Sequence, residues 1–214
     1  MIGLLMLAGW ARAATLEIDP AASELRVYAT SSLHAFEIEA RTLGGRVDPA
    51  RGDASIVVPV AALTTGLGPR DARMRTWCLD ERAFPEIRYE VDTVEGSDPG
   101  AGTGAGDATL HGHLRIREMS RPLEIPVTWS WEGARLRVRG RTPLRWADWG
   151  VPDPAVLVST MGPELVVTFD LVAAAPAAVT AGAGVERPPE ARPSTPARKK
   201  RTSTRRPRPT RRDR

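Results

Sequence analysis

Residues 123–141 read "LEIPVTWSWEGARLRVRGR". Leu123, Ile125, Val127, Trp129 and Trp131 occupy alternate positions. Glu132-Gly133 then supplies a turn signal, and Leu136 and Val138 resume the alternation against Arg135, Arg137, Arg139 and Arg141. Successive side chains of a strand point to opposite faces, so this pattern predicts a β-hairpin with one dry face and one wet face.

The same period of two continues in both directions over residues 15–173. Leu25, Val27 and Ala29 share a face, as do Phe36, Ile38 and Ala40, and Ala54, Ile56, Val58 and Val60. Ile87, Tyr89 and Val91 follow, then Leu110, Gly112, Leu114 and Ile116, and last Leu165, Val167, Phe169 and Leu171. Gly44-Gly45, Asp48-Pro49, Arg51-Gly52 and the glycine-rich stretch 96–106 separate these runs with turn signals. The expectation is an all-β domain of about eight antiparallel strands, whose shared apolar face is hidden by stacking into a sandwich or closing into a barrel. Eight strands closed on themselves leave an interior that side chains fill or that holds one small ligand. The inward, candidate ligand-lining set is Val27, Phe36, Ile38, Ile56, Val58, Tyr89, Val91, Leu114, Ile116, Ile125, Val127, Trp129, Leu136, Val138, Val167 and Phe169.

One segment breaks the period. "PRDARMRTWCL", residues 69–79, opens with a proline suited to a first helical turn and places Met74, Trp77 and Cys78 at i, i+3 and i+4. It predicts a short amphipathic helix packed on one end of the sheet. Cys78 is the lone cysteine, which excludes an internal disulfide, and without a pairing base it reads as a small core residue rather than a reactive thiol.

Charge divides the chain. Residues 186–214 hold 12 Lys/Arg and 3 Asp/Glu, a net of +9, whereas the rest holds 18 and 23, a net of −5. Residues 174–214 are rich in Ala, Pro, Arg, Ser and Thr and carry almost no large apolar side chains, so a disordered basic tail is expected. At the other end, residues 1–14 combine an apolar run from Ile2 to Ala8 with Ala11-Arg12-Ala13, a small-x-small cleavage pattern. They read as a signal peptide lacking its basic start, which implies a periplasmic or secreted protein. No run approaches the roughly 20 apolar residues of a membrane-spanning helix.

Several stretches resemble, in order, those of the YceI-like bacterial periplasmic proteins. They are "LEIDPAASELRVYATSSLHAFEIEA" with its histidine after the first strand, "GRVDP", "TTGLGPRDARMRTWCLDERAFPEIRYE" with Arg70-Asp71 and Phe84-Pro85, "GHLRIREMSRPLEIPV", and "RWADWGVPDP". Together they span about residues 16–172. The resemblance implies an extended lipocalin-like antiparallel barrel. Its apolar cavity would bind an isoprenoid or another long-chain, fatty-acid-like lipid without catalysis. The family pattern does not include the arginine-rich tail.

The remaining chemistry is sparse. His111-Gly112-His113 has two imidazoles at i and i+2, one face of a strand, but that face also carries Thr109, Arg115 and Arg117, so both are expected in solvent with no third ligand. His34 shares parity with Phe36 and Ile38 and is expected to point inward. It is then either a buried imidazole bonded to the backbone of the turn at residues 30–33 or a polar contact for a ligand headgroup at the cavity mouth. Neither histidine cluster brings a nucleophile or oriented partner, so no catalytic set, metal site or cofactor is expected. The functional expectation is a carrier of a hydrophobic amphiphile. The alternative is an interaction protein whose basic tail contacts an anionic membrane, lipopolysaccharide or nucleic acid, with the barrel as scaffold.

Overall fold

The computed structural model describes residues 15–153 and 160–176. The export signal expected at residues 1–14 and the tail expected from 174 lie outside them, except that the last strand runs through Ala174.

Among the described residues, eleven strands make one antiparallel sheet. They are β1 (Leu16–Ile18), β2 (Glu24–Ser31), β3 (Ala35–Ala40), β4 (Gly44–Asp48), β5 (Asp53–Pro59), β6 (Leu63–Thr64), β7 (Glu86–Gly96), β8 (Ala105–Ile116), β9 (Met119–Glu132), β10 (Arg135–Arg145) and β11 (Met161–Ala174). They amount to eight staves, because β1 and β2 lie end to end along β11, one opposite Ala173 and Ala174, the other opposite Met161 to Asp170. β3 and β4 run end to end beside that pair, and β6 and β5 beside β3 and β4. From β5 the meander continues through β7, β8, β9 and β10 back to β11. Since β11 is paired along both edges, the sheet closes on itself, which decides for the barrel over the sandwich.

The strands expected from periodicity are all present. The short β1, β4 and β6 were not separable from turns in sequence, since each is two to five residues long and offers too few alternations. Local chemistry makes the breaks. After β1, Asp19 accepts from the backbone N–H of Ala21 and Pro20 has no N–H to give to a ladder. Between β5 and β6, Pro59 leads into a single tight turn at Val60–Ala62.

Inside and outside follow the parity of the sequence. On the outer face Arg137 grips Asp170 with two bonds of 2.7 and 2.9 Å, and Arg139 adds a third at 2.9 Å. Arg26 with Glu24 and Arg88 with Glu86 continue this charged exterior. An exterior of ion pairs around an apolar interior is the inverse of a membrane-spanning barrel, and among the described residues no helix is long and apolar enough to cross a membrane. One glycine is required by the wall itself. The β7–β8 register shifts between Val91 and Thr93, and a Cβ on Gly112 would overlap the carbonyl oxygen of Glu90.

The connection between β6 and β7 covers one end of the barrel with α1 (Gly68–Arg73), Pro69 standing in its first turn. Asp71 locks α1 to the wall. Its buried carboxylate accepts from the Thr64 hydroxyl at 2.7 Å, the Thr65 N–H at 2.7 Å and the Thr65 hydroxyl at 2.6 Å. A π-helical turn, Met74–Cys78, follows directly, closed by the Leu79 N–H donating to the Met74 carbonyl at 2.9 Å. This corrects the expected uniform helix over 69–79. A wider i→i+5 turn takes residues out of the i, i+3 alignment. Cys78 is buried and Met74 half-buried, but Trp77, expected on the apolar face, is 56% exposed with the Arg73 guanidinium 5.8 Å from its ring.

Candidate functional site

A cavity of about 650 Å³ occupies the barrel interior. This lies within the size range of small-molecule binding sites. Each strand points its inward residues at it. Val27 comes from β2, Phe36 and Ile38 from β3, Ile56 and Val58 from β5, Tyr89 and Val91 from β7, and Leu114 and Ile116 from β8. Ile125, Val127 and Trp129 come from β9, Leu136 and Val138 from β10, and Val167 and Phe169 from β11. All sixteen inward residues named from sequence therefore line a single space, and His34 stands with them. The interior is hollow rather than filled.

Sequence reasoning left out other parts of the wall. Leu25, Leu110, Leu123, Leu165 and Leu171 share the inward parity and could have been named from it, whereas Ile18 lies in the short β1, where no period emerges. Met74, Cys78, Leu79, Trp146 and Val151 arrive from connections, where no period marks a face. Thr142, 4% exposed, places a hydroxyl in the wall of β10.

The polar groups of the wall are few, and placed at the ends or bonded internally. The Tyr89 hydroxyl donates to the Leu123 carbonyl at 2.9 Å and lies 3.2 Å from that of Leu110. Burial pushes this phenol well above its ordinary value, and the charges of Asp92 and Glu124 add to the effect, so it remains a neutral donor. Four indole N–H groups likewise end on backbone carbonyls: Trp129 on Ser97, Trp131 on Pro99, Trp146 on Gly162 and Trp149 on Leu114. These bonds let large rings sit at the barrel rims without an orphaned donor. Burial also raises the Cys78 thiol, with the charge of Arg73 opposing, which keeps it protonated and unreactive.

The two ends of the cavity differ in charge. The end covered by α1 brings together His34, from the turn between β2 and β3, with Arg70 and Arg73; the opposite end, at the turn between β4 and β5, carries Asp48 and Asp53. His34 corrects the expectation of a buried imidazole bonded to its own turn. The turn is held by other atoms: the Ser31 hydroxyl donates to the His34 carbonyl at 2.8 Å and accepts from the His34 N–H at 3.2 Å, and the Ser31 N–H donates to the same carbonyl. The ring is exposed, and its Nε2 accepts from the Arg70 guanidinium at 3.0 Å. Arginine can only donate, so in this contact the ring nitrogen is the acceptor. His34 faces the cavity with Phe36 and Ile38, as its parity expects, but it precedes β3 in the turn at the cavity mouth, where the ring stays exposed.

His111 and His113 lie outside the barrel, as their parity requires, but beside carboxylates rather than only cations. His111 meets Glu95 at 3.0 Å and Glu124 at 3.3 Å, and His113 meets Asp92 at 2.7 Å. The partners come from adjacent strands, whose register the one-strand reading could not supply.

Comparison with known proteins agrees with this architecture. The YceI-like domain model matches residues 16–173, and the chain belongs to that family. Among solved structures, a polyisoprenoid-binding domain from Saccharophagus degradans implicated in plant cell wall breakdown superposes with a TM-score of 0.66 at 16% identity, covering 77% of this chain and 100% of that one. BcnA of Burkholderia cenocepacia gives 0.62 at 19% identity, covering 72% and 98%. The YceI protein of Campylobacter jejuni gives 0.51 at 11%, covering 64% and 83%. No curated protein shows significant sequence similarity to the chain.

Proposed function

We propose that the barrel is a non-catalytic carrier that sequesters the hydrocarbon part of a polyisoprenoid or other long-chain lipid. The observation that carries this reading is the continuous apolar wall around about 650 Å³ of interior. Each methylene moved from water into such a space contributes about 0.8 kcal/mol. A chain of a dozen or so therefore outweighs the several kcal/mol that association costs in lost freedom. The binding described for the Saccharophagus domain supports the choice of an isoprenoid chain. Among the described residues the wall carries no nucleophile paired with a base, which favours storage or transfer over conversion. The apolar leader at residues 1–14 supports export to the periplasm, where a carrier would move a lipid through water.

Native mass spectrometry of protein purified from a membrane-containing source tests the reading. A co-purifying mass of a few hundred daltons, lost on organic extraction and restored by adding a long-chain lipid, is the expected result. Protein that carries no such mass and takes up no fluorescent long-chain probe after extraction would sink it.

A further inference from the structure

Arg70, one of the two arginines at the covered end of the cavity, has no evident structural task. Arg70 stands on α1 with its guanidinium 4.2 Å from the centroid of the Phe36 ring and bonded to Nε2 of His34. Neither neighbour is an anion, and among the described residues no carboxylate pairs with Arg70. Its sequence neighbour Asp71 is turned away and saturated by Thr64 and Thr65. The ring and the imidazole hold the guanidinium in one orientation yet occupy only part of its donor set, which leaves hydrogen-bond donors for a further acceptor. Arg70, His34 and Phe36 all belong to the wall of the cavity, so that acceptor has its place at the cavity mouth.

We propose that Arg70, oriented by His34 and Phe36, is a headgroup site that selects an anionic amphiphile, one ending in a phosphate or carboxylate, over a neutral one of the same chain. The inference rests on the carrier reading and adds the chemistry of the polar end. A planar guanidinium matches phosphate and carboxylate oxygens in paired hydrogen bonds, and such charge-assisted bonds are about twice as strong as neutral ones. At the opposite end Asp48 and Asp53 line the cavity, Asp53 paired with Arg51 at 3.4 Å, and among the described residues no cation joins the lining there. The ligand therefore enters with its charge at the α1 end and its tail toward the β4–β5 turn. His34 does not neutralise the anion. As the acceptor of one Arg70 donor it fixes the direction of the others, which makes it a positioning residue.

The test compares two ligands of identical chain, hexadecyl phosphate and hexadecanol, on delipidated full-length protein. The expected result is a preference for the phosphate of roughly tenfold, the worth of one charge-assisted pair at a partly exposed site, shrinking as salt is raised. Arg70→Gln should bring the two ligands to equal affinity, and its continued uptake of hexadecanol reports that the variant is folded. If that variant loses the alcohol as well, Arg70→Met, which retains contact with the Phe36 ring, takes its place with the same expected outcome. Equal binding of both ligands by the unmodified protein, or a preference that survives removal of the guanidinium, overturns the headgroup site and leaves the carrier reading standing. Failure of the unmodified protein to bind either ligand overturns both.

Discussion

Phe169 lays the tip of its ring across Gly140, the residue directly opposite it on β10, so closely that a Cβ on Gly140 would overlap the ring. The row continues around the barrel. Val127 flanks Gly140 on the other side, Ala108 flanks Val127, and Leu25 and Ala40 follow beyond Phe169. The small residues Ala108, Gly140 and Ala40 flank Val127 and the Phe169–Leu25 pair along this belt, and Gly140 gives the ring room to lie against the wall rather than stand in the cavity.

Gly140→Ala should therefore act on capacity more than on folding. The obstructing atoms are the far end of a side chain that borders empty space, so the ring can tilt inward. Stability should fall by no more than about 1 kcal/mol, while affinity for a long-chain fluorescent lipid drops several-fold as the ring takes ligand volume. Parallel thermal unfolding and lipid titration read both quantities. An unchanged affinity would mean that the ligand does not use the space beneath Phe169.

Gly112→Ala should do the opposite. Here the obstruction is the Glu90 carbonyl oxygen, a backbone atom fixed by the β7–β8 ladder at its irregular register. Either the strands separate locally or the added methyl remains in a clash, at a cost of about 1–3 kcal/mol. Chemical denaturation should show a lowered midpoint with little change in slope. A midpoint within error of the unmodified protein would mean that β7 and β8 yield at the bulge without cost.

Filling the cavity outright should abolish binding in a way that salt does not mimic. Val127 lies 5% exposed in the middle of the belt, next to Gly140. Val127→Trp should keep the barrel fold, lose about 1–3 kcal/mol of stability to overpacking, and release the hydrocarbon chain. Raising salt should weaken only the phosphate preference and leave hexadecanol bound, since ions screen charge and not apolar burial. Circular dichroism establishes the fold and titration the loss. A folded variant that still takes up hexadecanol would place the chain elsewhere.

Acid should loosen the clamp on α1. Burial alone would raise the Asp71 carboxyl, but the bonds from Thr65 and Thr64 and the charge of Arg75 outweigh it and hold the group below its ordinary value of 3.8. A carboxylate depressed in the folded state stabilises fully above its unfolded value, and that stabilisation drains away as pH falls through 3.8 toward the folded value. Asp170 adds in the same direction: burial opposes it, but Arg137 and Arg139 hold it low. Asp71→Asn should cost about 1.5–3 kcal/mol at neutral pH and flatten the acid limb of the melting-temperature profile. An unaltered acid limb would show that the clamp stays ionised throughout or contributes nothing.

What could be read in advance follows from where the pleat acts. Val127, Leu136 and Phe169 sit in long strands whose alternation is uninterrupted, so their inward direction is already present in a single segment. β4 begins with two glycines and β6 is only Leu63 and Thr64, too short for a period to emerge against the turns around them. Trp77 was misassigned because i, i+3 spacing presumes an α-helical turn, and nothing in "MRTWC" marks the change to a π turn. Arg70 was visible only as part of an Arg-Asp motif. Its meeting with His34, 36 residues away in sequence, depends on the pairing of β6 with β3, which carries α1 beside the β2–β3 turn.

The histidine at that meeting carries the last expectation. If the imidazole held its own turn, His34→Ala would destabilise the fold, but the turn's bonds come from the His34 backbone and the Ser31 hydroxyl, and all of them survive the substitution. His34→Ala should thus leave stability within about 0.5 kcal/mol. Ser31→Ala, which removes the hydroxyl that donates to the His34 carbonyl and accepts from its N–H, should cost about 1 kcal/mol. Binding should order the two variants the other way. Loss of the imidazole frees Arg70 to sample other directions and reduces the phosphate preference by a few-fold, whereas loss of the serine hydroxyl leaves Arg70 and its acceptor in place. Unfolding curves and the paired phosphate and alcohol titrations give both orders from the same two proteins. A destabilised His34→Ala that keeps its full phosphate preference would return the histidine to a structural role and leave Arg70 to hold the headgroup without it.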